Sequence, residues 1–423
     1  MKLVIYEDHT FENFYPLSLI RPVFDLRCGA SSLGDKLRRH FAGSEVVYFI
    51  RDYLVPTFKQ NNGSATVNDC SALDGDLLIA NGRWLCLKSA VTAEGEEEIA
   101  THGDSVVYIR ANRETVARCR GDSFCELLRN LKEALPGRSV DEELISYNWN
   151  LVHHNPDAIT ADFEALGETG VHGEMHPLSC VYGDESQVFV APGAVIHPTV
   201  VLDSTGGPIL IEEGVIVFPH TRIEGPCTIG RDTQIVGGKI REGCSIGPVC
   251  RVGGEVEESI IHGYSNKYHD GFLGHAYVGE WVNLGAMTTN SDLKNDYSTV
   301  EVKLNGKTID TGDSKVGSFI GDHTKTSIGT LFNTGTVVGM MTNILGGSEI
   351  LPKSIPSFCL FANGKAFKGF GLRKLLETAE TAMGRRKVTL TEADREVLTH
   401  AYDSTKEERM EAVKKARRKI RRG

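Results

Sequence analysis

Ser265 to Asp296 reads SNKYHDGFLGHAYVGEWVNLGAMTTNSDLKND, and this stretch decides how the rest of the chain is read. Phe272, Val278 and Leu284 stand six residues apart, each with a glycine one or two residues later. That spacing is the mark of a hexapeptide repeat, in which short strands stack coil on coil into a parallel β-helix. The same run carries His269, His275, Asn283, Asn290, Asp292 and Lys294, polar groups that a plain stacking coil does not need.

Working outward, Ile211, Val217, Ile223, Ile229 and Ile235 hold the six-residue period, and a one-residue deletion shifts it to Ile240, Ile246 and Val252. After a break at 253–268 the period returns at Phe272. A second break, 288–319, contains Val300-Glu-Val-Lys-Leu-Asn-Gly-Lys-Thr308, a hairpin signal with Asn305-Gly306 as its two-residue turn. Ile320, Thr326, Phe332, Val338, Ile344 and Ile350 close the series. With three strands to a coil, the repeats predict about five to eight coils. Loops on a rigid scaffold carry function, so the two breaks are where a site is expected. A regular coil carrying a histidine that could act as a base points to an acyl-transfer site built on a rigid scaffold.

Ahead of the repeats, Leu3–Tyr6, Glu45–Ile50 and Asp76–Ile79 are short apolar runs that read as buried strands, while 31–41 and 123–134 have helical spacing. The alternation predicts an α/β domain with a parallel sheet and a ligand site at the carboxyl ends of its strands. Pro136–Asn150 reads as a linker, and 155–166 as a helix with Asn155 as N-cap and Pro156 in its first turn. Gly167 to Ser179 reads as a polar loop. The expected organisation is an α/β domain over 1–150, a linker with a helix over 151–180, a left-handed β-helix over 181–364 and a helical tail over 365–423. In the tail, 372–380 and 391–419 read as helices. The run Lys414-Lys-Ala-Arg-Arg-Lys-Ile-Arg-Arg-Gly423 reads as a solvated helix end or subunit contact, with a nucleic-acid tail as the alternative.

The 423 residues carry a net charge of −10, which argues against a general nucleic-acid or anionic-membrane binder. No N-terminal apolar h-region and no run of 18 apolar residues appears, so neither export nor a membrane span is expected. Ten scattered cysteines without a CxxC pair read as reduced thiols of a cytoplasmic protein, with no structural metal implied.

The segment SNKYHDGFLGHAYVGEWVNLGA resembles the acetyl-transfer segment of the bifunctional N-acetylglucosamine-1-phosphate uridylyltransferase/glucosamine-1-phosphate acetyltransferases (GlmU type). The chain as a whole resembles a divergent branch of that family. The resemblance implies left-handed coils, a homotrimer, and acetyl-CoA, an amino-sugar phosphate and UTP or another NTP as substrates, with Mg²⁺ for nucleotidyl transfer. It implies His269 as general base, with the His-x-x-aromatic-Leu-Gly spacing intact. Phe272 stands where the family has Tyr, and Asn283 matches the family's Asn. Substrate roles are expected at Lys267, Asn290, Asp292, Lys294, Lys325 and Arg251. Ala286, Ile328 and Gly346 match the acetyl-CoA groove.

In the N-terminal domain the family's Gly-rich phosphate loop is replaced by Phe14-Tyr-Pro-Leu-Ser-Leu-Ile-Arg-Pro-Val-Phe-Asp-Leu-Arg-Cys-Gly29. Arg21, Arg27 and Lys36 are expected to supply its positive charge, or else to pair or cap locally. Asn81, expected at the nucleotide site with them, stands where a metal-binding Asp would be expected, which leaves the metal ligands unassigned; Asp74 and Asp104 are candidates with solvated turn acids as the alternative. His275 reads as structural, and Trp281 and Phe332 as packing residues. Two further functions stay open: nucleotidyl transfer alone, with the β-helix as a trimerisation scaffold, or a non-catalytic sugar-nucleotide-binding protein.

Overall fold

The computed structural model describes residues 1–347 and 349–420. The chain forms two compact units, the first made of Met1–Phe14, Ser18–Leu26 and Ser31–Ser146, the second of Tyr15–Leu17, Arg27–Ala30 and Tyr147 onward. The expected class, an α/β domain followed by a left-handed parallel β-helix and a helical tail, is the one found. Among the described residues no helix is long and apolar enough to cross a membrane.

The first unit is built on Lys2–Tyr6, whose Leu3, Val4 and Ile5 are fully buried as the apolar run predicts. This strand runs parallel to Glu45–Phe49 on one side and Leu77–Asn81 on the other, and Tyr6, Phe49 and Asn81 come into register at the carboxyl ends. The sheet is mixed where a parallel one was expected. Ser105–Ala111 pairs antiparallel with Leu77–Asn81, and Glu98–His102 folds back on it across a turn at Gly103-Asp104. Gly137–Ser139 adds a parallel edge strand, so part of the stretch read as a linker belongs to the sheet. Helix α1 (Leu33–His40) starts at a capping box of Ser32 and Asp35, and α4 (Phe124–Ala134) at Ser123. Between them lie α2 (Val55–Asn62) and α3 (Arg113–Cys119).

The second unit opens with α5 (Asn148–His153) and α6 (Asn155–Leu166). The N-cap of α6 is His154; Asn155 lies just inside, and its buried amide accepts from Gly29 N (2.7 Å) and donates to Gly243 O (2.8 Å). The first coil begins at Gly170–Val171 and Glu174–Met175, inside the stretch read as linker and polar loop.

Among the described residues ten parallel strands stack on one face, more coils than the repeats predicted. Val190, Ile211, Ile229, Ile246, Ile261, Val278, Ile320, Val338 and Ile355 form one inward row, nearly all completely buried. A second row runs Ile196, Val217, Ile235, Val252, Lys267, and a third Leu202, Ile223, Ile240, Val256, Leu273. The expected break at 253–268 is therefore no break. The coil continues with shortened corners, and a lysine standing in an aliphatic row hides it from a hydrophobic count. For the same reason the inward residue is Leu273, with Phe272 half-buried beside it, and Leu351 replaces Ile350, which is exposed.

The excursion after Asn290 is real, and it carries the expected hairpin: Glu301–Leu304 pairs antiparallel with Lys307–Asp310, and Asn305 and Gly306 have φ of 49° and 77°, as a type I′ turn requires. The tail forms α7 (Leu372–Gly384), α8 (Glu392–Ser404) and α9 (Lys406–Ile420), so the second expected helix is broken at Thr405. Arg409 is buried over the rings of Tyr402 (4.1 Å) and Phe358 (5.6 Å), and 421–423 of the basic run lie outside the described residues.

Candidate functional site

In the second unit, Tyr268-His269-Asp270-Gly271 form a loop between the strands Asn266–Lys267 and Phe272–Gly274. Its first three residues are exposed, and the His269 ring stands edge-on to Tyr268 at 5.0 Å. The backbone beneath is fixed at several points. Lys267 Nζ donates to His269 O (2.6 Å), Met287 N to Asp270 O (2.8 Å) and Glu255 N to Gly271 O (3.2 Å). Gly271 has φ 126°, and a Cβ there would meet Thr288 O at 2.2 Å, so only glycine fits the close approach. Beside the loop is a groove of about 350 Å³ lined by Lys239, Gly254, Glu255, Asp270 and Phe272. An exposed imidazole on a tied-down backbone is a suitable proton acceptor.

Lys267 itself is not on the surface. It is 3% exposed in the second inward row, its Nζ also donating to Gly253 O (3.0 Å), and burial pushes its pKa down to about 8.

The outward row beside it holds several expected residues. Arg251, Asn266, Asn283, Lys325 and Asn343 follow in register. Asn266 donates to Asn283 Oδ1 (3.2 Å) and accepts from Arg386 Nη2 (2.9 Å). Burial and the Arg386 guanidinium both lower the pKa of Arg251, so two cations are held together on this face. Nε of Arg386 is buried with no hydrogen-bond partner among the described residues. Arg386 was not foreseen; it follows α7, far outside the repeats, and nothing in the sequence ties it to Asn266. Lys325 Nζ donates to Trp281 O (2.9 Å) and His323 O (3.2 Å), with burial pushing its pKa down to about 8. Trp281 stacks on Tyr264 at 4.4 Å, and Phe332 lies in the core, as expected of packing residues.

Asn290, Asp292 and Lys294 serve the excursion. Asn290 occupies an inward position and exchanges two hydrogen bonds with Gly274, both 2.9 Å. Asp292 meets His275 Nδ1 at 2.9 Å, while Glu258 meets Nε2 at 3.1 Å. Burial alone would lower the His275 pKa, but the two carboxylates raise it to about 9. Lys294 donates to Thr299 O (2.8 Å) within the loop. Ala286, Ile328 and Gly346 fall on successive coils: Gly329 N donates to Ala286 O (2.8 Å), and Gly346 N to Ser327 Oγ (2.9 Å).

In the first unit, the strand ends bring Glu7, Asp8, Arg51, Asn81 and Arg83 together. Arg83 Nη2 meets Asp8 Oδ2 at 2.7 Å, and Arg51 Nη2 meets Glu7 Oε1 at 2.9 Å. Although burial alone would raise it, the Asp8 pKa is held at about 2, chiefly by Arg83. Asn81 Nδ2 donates to Asp8 Oδ2 (3.0 Å) and Val106 O (2.9 Å), and its Oδ1 accepts from Arg83 N (3.0 Å). Glu7 and Asp8 follow the first strand directly, a signal the sequence offered and the reading passed over.

Arg21 and Lys36 are buried in this unit, Lys36 Nζ donating to Ser31 Oγ (2.9 Å). Arg27 belongs to the second unit, where its amide donates to the Tyr277 hydroxyl (2.8 Å). Asp74 pairs with Lys2 at the surface and Asp104 lies exposed in the hairpin turn. These residues fit Mg²⁺ poorly: the Asn81 amide and the Glu7 and Asp8 carboxylates are already held by partners.

Residues 3–169 match a family described as sugar nucleotidyl transferase. A "Bifunctional sugar-1-phosphate nucleotidylyltransferase/acetyltransferase" from Sulfurisphaera tokodaii is 33% identical over 155 residues, 34% of this chain and 37% of that protein. A "Bifunctional protein GlmU" from Picosynechococcus is 23% identical over 377 residues, 76% of this chain and 74% of its own length. The chain thus spans little more than a third of one of these relatives and about three quarters of the other. Among solved structures, a UDP-N-acetylglucosamine acyltransferase from Francisella novicida covers 54% of this chain and 90% of its own at 14% identity, with a TM-score of 0.32, a likeness too slight to bear on function. The chain is thus similar over residues 3–169 to sugar nucleotidyl transferases and over most of its length to a protein named bifunctional GlmU, and its second unit is a hexapeptide β-helix.

Proposed function

We propose that the chain is a bifunctional transferase that acetylates an amino-sugar 1-phosphate, glucosamine 1-phosphate in the first instance, and joins the acetylated sugar phosphate to UTP. The observation that carries this reading is similarity to a protein named bifunctional GlmU over 377 residues, a span that reaches into both compact units. In the β-helix the sugar amine attacks the thioester carbon of acetyl-CoA. An N–C bond forms, the C–S bond breaks and CoA leaves as thiolate. His269 takes the proton from the amine, and the Arg251/Arg386 face with Asn283 supplies charge and hydrogen bonds for a sugar phosphate. The strip of half-buried Ala286 and Gly346 around exposed Ile328 would carry acetyl-CoA. In the N-terminal unit a sugar-phosphate oxygen attacks the α-phosphorus of UTP and pyrophosphate leaves.

The test is acetyl-CoA-dependent thiol release with glucosamine 1-phosphate, with and without UTP and Mg²⁺. Thiol release together with pyrophosphate is expected. Thiol release alone would leave the N-terminal unit a binding module, a reading that the spent amide of Asn81 favours. Pyrophosphate alone would leave the β-helix a scaffold, and neither product would overturn the proposal for this substrate.

A further inference from the structure

Two polar residues stand in the inward rows of the β-helix where the chain passes the His269 loop, Lys267 before it and Asn290 after it. Asn290 exchanges its bonds with Gly274. Lys267 is the more demanding case. Its neighbour in the row is Val252, fully buried, and the coil after it places Leu284 inward. An ammonium in such a row costs free energy unless acceptors compensate it. Two acceptors are provided, Gly253 O and His269 O, and the space for the ammonium is made by Gly254, where a Cβ would stand 2.7 Å from Nζ.

We propose that Lys267 is a positioning residue for His269: its ammonium, reaching from inside the coil, holds the His269 carbonyl and thereby sets where the imidazole stands outside it. The inference rests on the reading of His269 as the base. Asp270 and Gly271 are fixed through their own carbonyls by Met287 and Glu255, so Lys267 supplies the tie at the histidine itself. A phosphate contact by Lys267 would require Nζ to leave both carbonyls and the coil interior. Burial has already lowered its pKa to about 8, yet the neutral amine keeps two N–H donors for the same two carbonyls, so the tie survives deprotonation.

The experiment compares full-length wild type with Lys267→Met, which fills the row without a donor, and Lys267→Gln, which keeps one. Acetyl-transfer kinetics are measured together with hydrogen exchange of the amides from Tyr268 to Gly271. Lys267→Met is expected to lower kcat about 10-fold or more, with KM for the sugar phosphate and for acetyl-CoA within about twofold, since small misplacements of a catalytic group are costly. Loop exchange should speed up, and Lys267→Gln should fall between.

A rise in KM for the sugar phosphate at unchanged kcat would make Lys267 a substrate ligand and overturn the proposal. So would a lowered Tm with kcat and loop exchange both unchanged, the mark of a purely structural lysine. If Lys267→Met does not fold, Lys267→Gln carries the same comparison. If wild type transfers no acetyl group, the proposed function falls on that result, while loop exchange in the variants still decides whether the tie exists.

Discussion

His269 and Lys267 are two residues apart and lie on opposite sides of one coil wall, one exposed and one in the core. Removing the exposed one should therefore leave the fold alone. His269→Ala is expected to lower acetyl transfer about 10²–10⁴-fold, the usual worth of a general base, with an unchanged circular dichroism spectrum and urea midpoint. Retained thiol release would take His269 out of the mechanism. In the first unit Asn81 is the informative residue. Replacing it by aspartate would set a second carboxylate against Asp8 and leave Val106 O without its donor. Asn81→Asp is expected to destabilise the protein by about 2 kcal/mol in urea unfolding, as loss of a buried donor does. If Mg²⁺ restored that loss, the strand end would be a metal site after all.

At the scale of elements, the periodic rows were legible wherever the inward residue was aliphatic, as at Ile211 to Val252, and illegible where it was Lys267 or Asn290. Hydrophobic period reports burial only when the buried group is apolar. The Asn305-Gly306 hairpin was legible because its positive φ values demand those residue types, while the antiparallel half of the sheet was not, since nothing in Ser105–Ala111 specifies its direction. His269 was singled out by its motif, and its exposed loop position agrees with a turn between repeats; the pairing of His275 with Asp292 and Glu258 was not legible, because their partnership exists only across coils.

That pairing makes a pH prediction. The folded pKa of His275 is raised from 6.5 to about 9, so its stabilisation is complete below about pH 6.5 and disappears as pH rises to about 9. Asp292 and Glu258 are shifted downward, so their share is lost only in acid. Lys267 and Lys325 act in the opposite sense, their pKa values lowered from 10.5 to about 8, and add stability as pH rises from 8 to 10.5. The gap in urea midpoint between wild type and His275→Gln should accordingly be widest near pH 6 and narrow by pH 9. A constant gap would mean that His275 is not charged in the folded protein.

For the whole molecule, the question is what covers the apolar edge of the β-helix. Met287, Ile328, Leu345 and Ile350 are each more than half exposed; the first three lie about the same corner of three successive coils, and Ile350 lies across that corner on the last of them. A line of large aliphatic side chains along a rigid edge is a contact surface, since soluble chains seldom leave such a patch in water. A homotrimer would cover it and would bring a neighbouring subunit beside the strip assigned to acetyl-CoA. The expected mass by sedimentation is three times the 46.3 kDa of the chain. Ile328→Asp should shift the protein toward monomer and raise KM for acetyl-CoA together, because one edge serves both. If the variant stays trimeric while KM rises, the edge belongs to the cosubstrate alone and the subunits meet elsewhere. If the wild type sediments as a monomer, the site is complete within one chain, and the exposed strip is left for acetyl-CoA to cover.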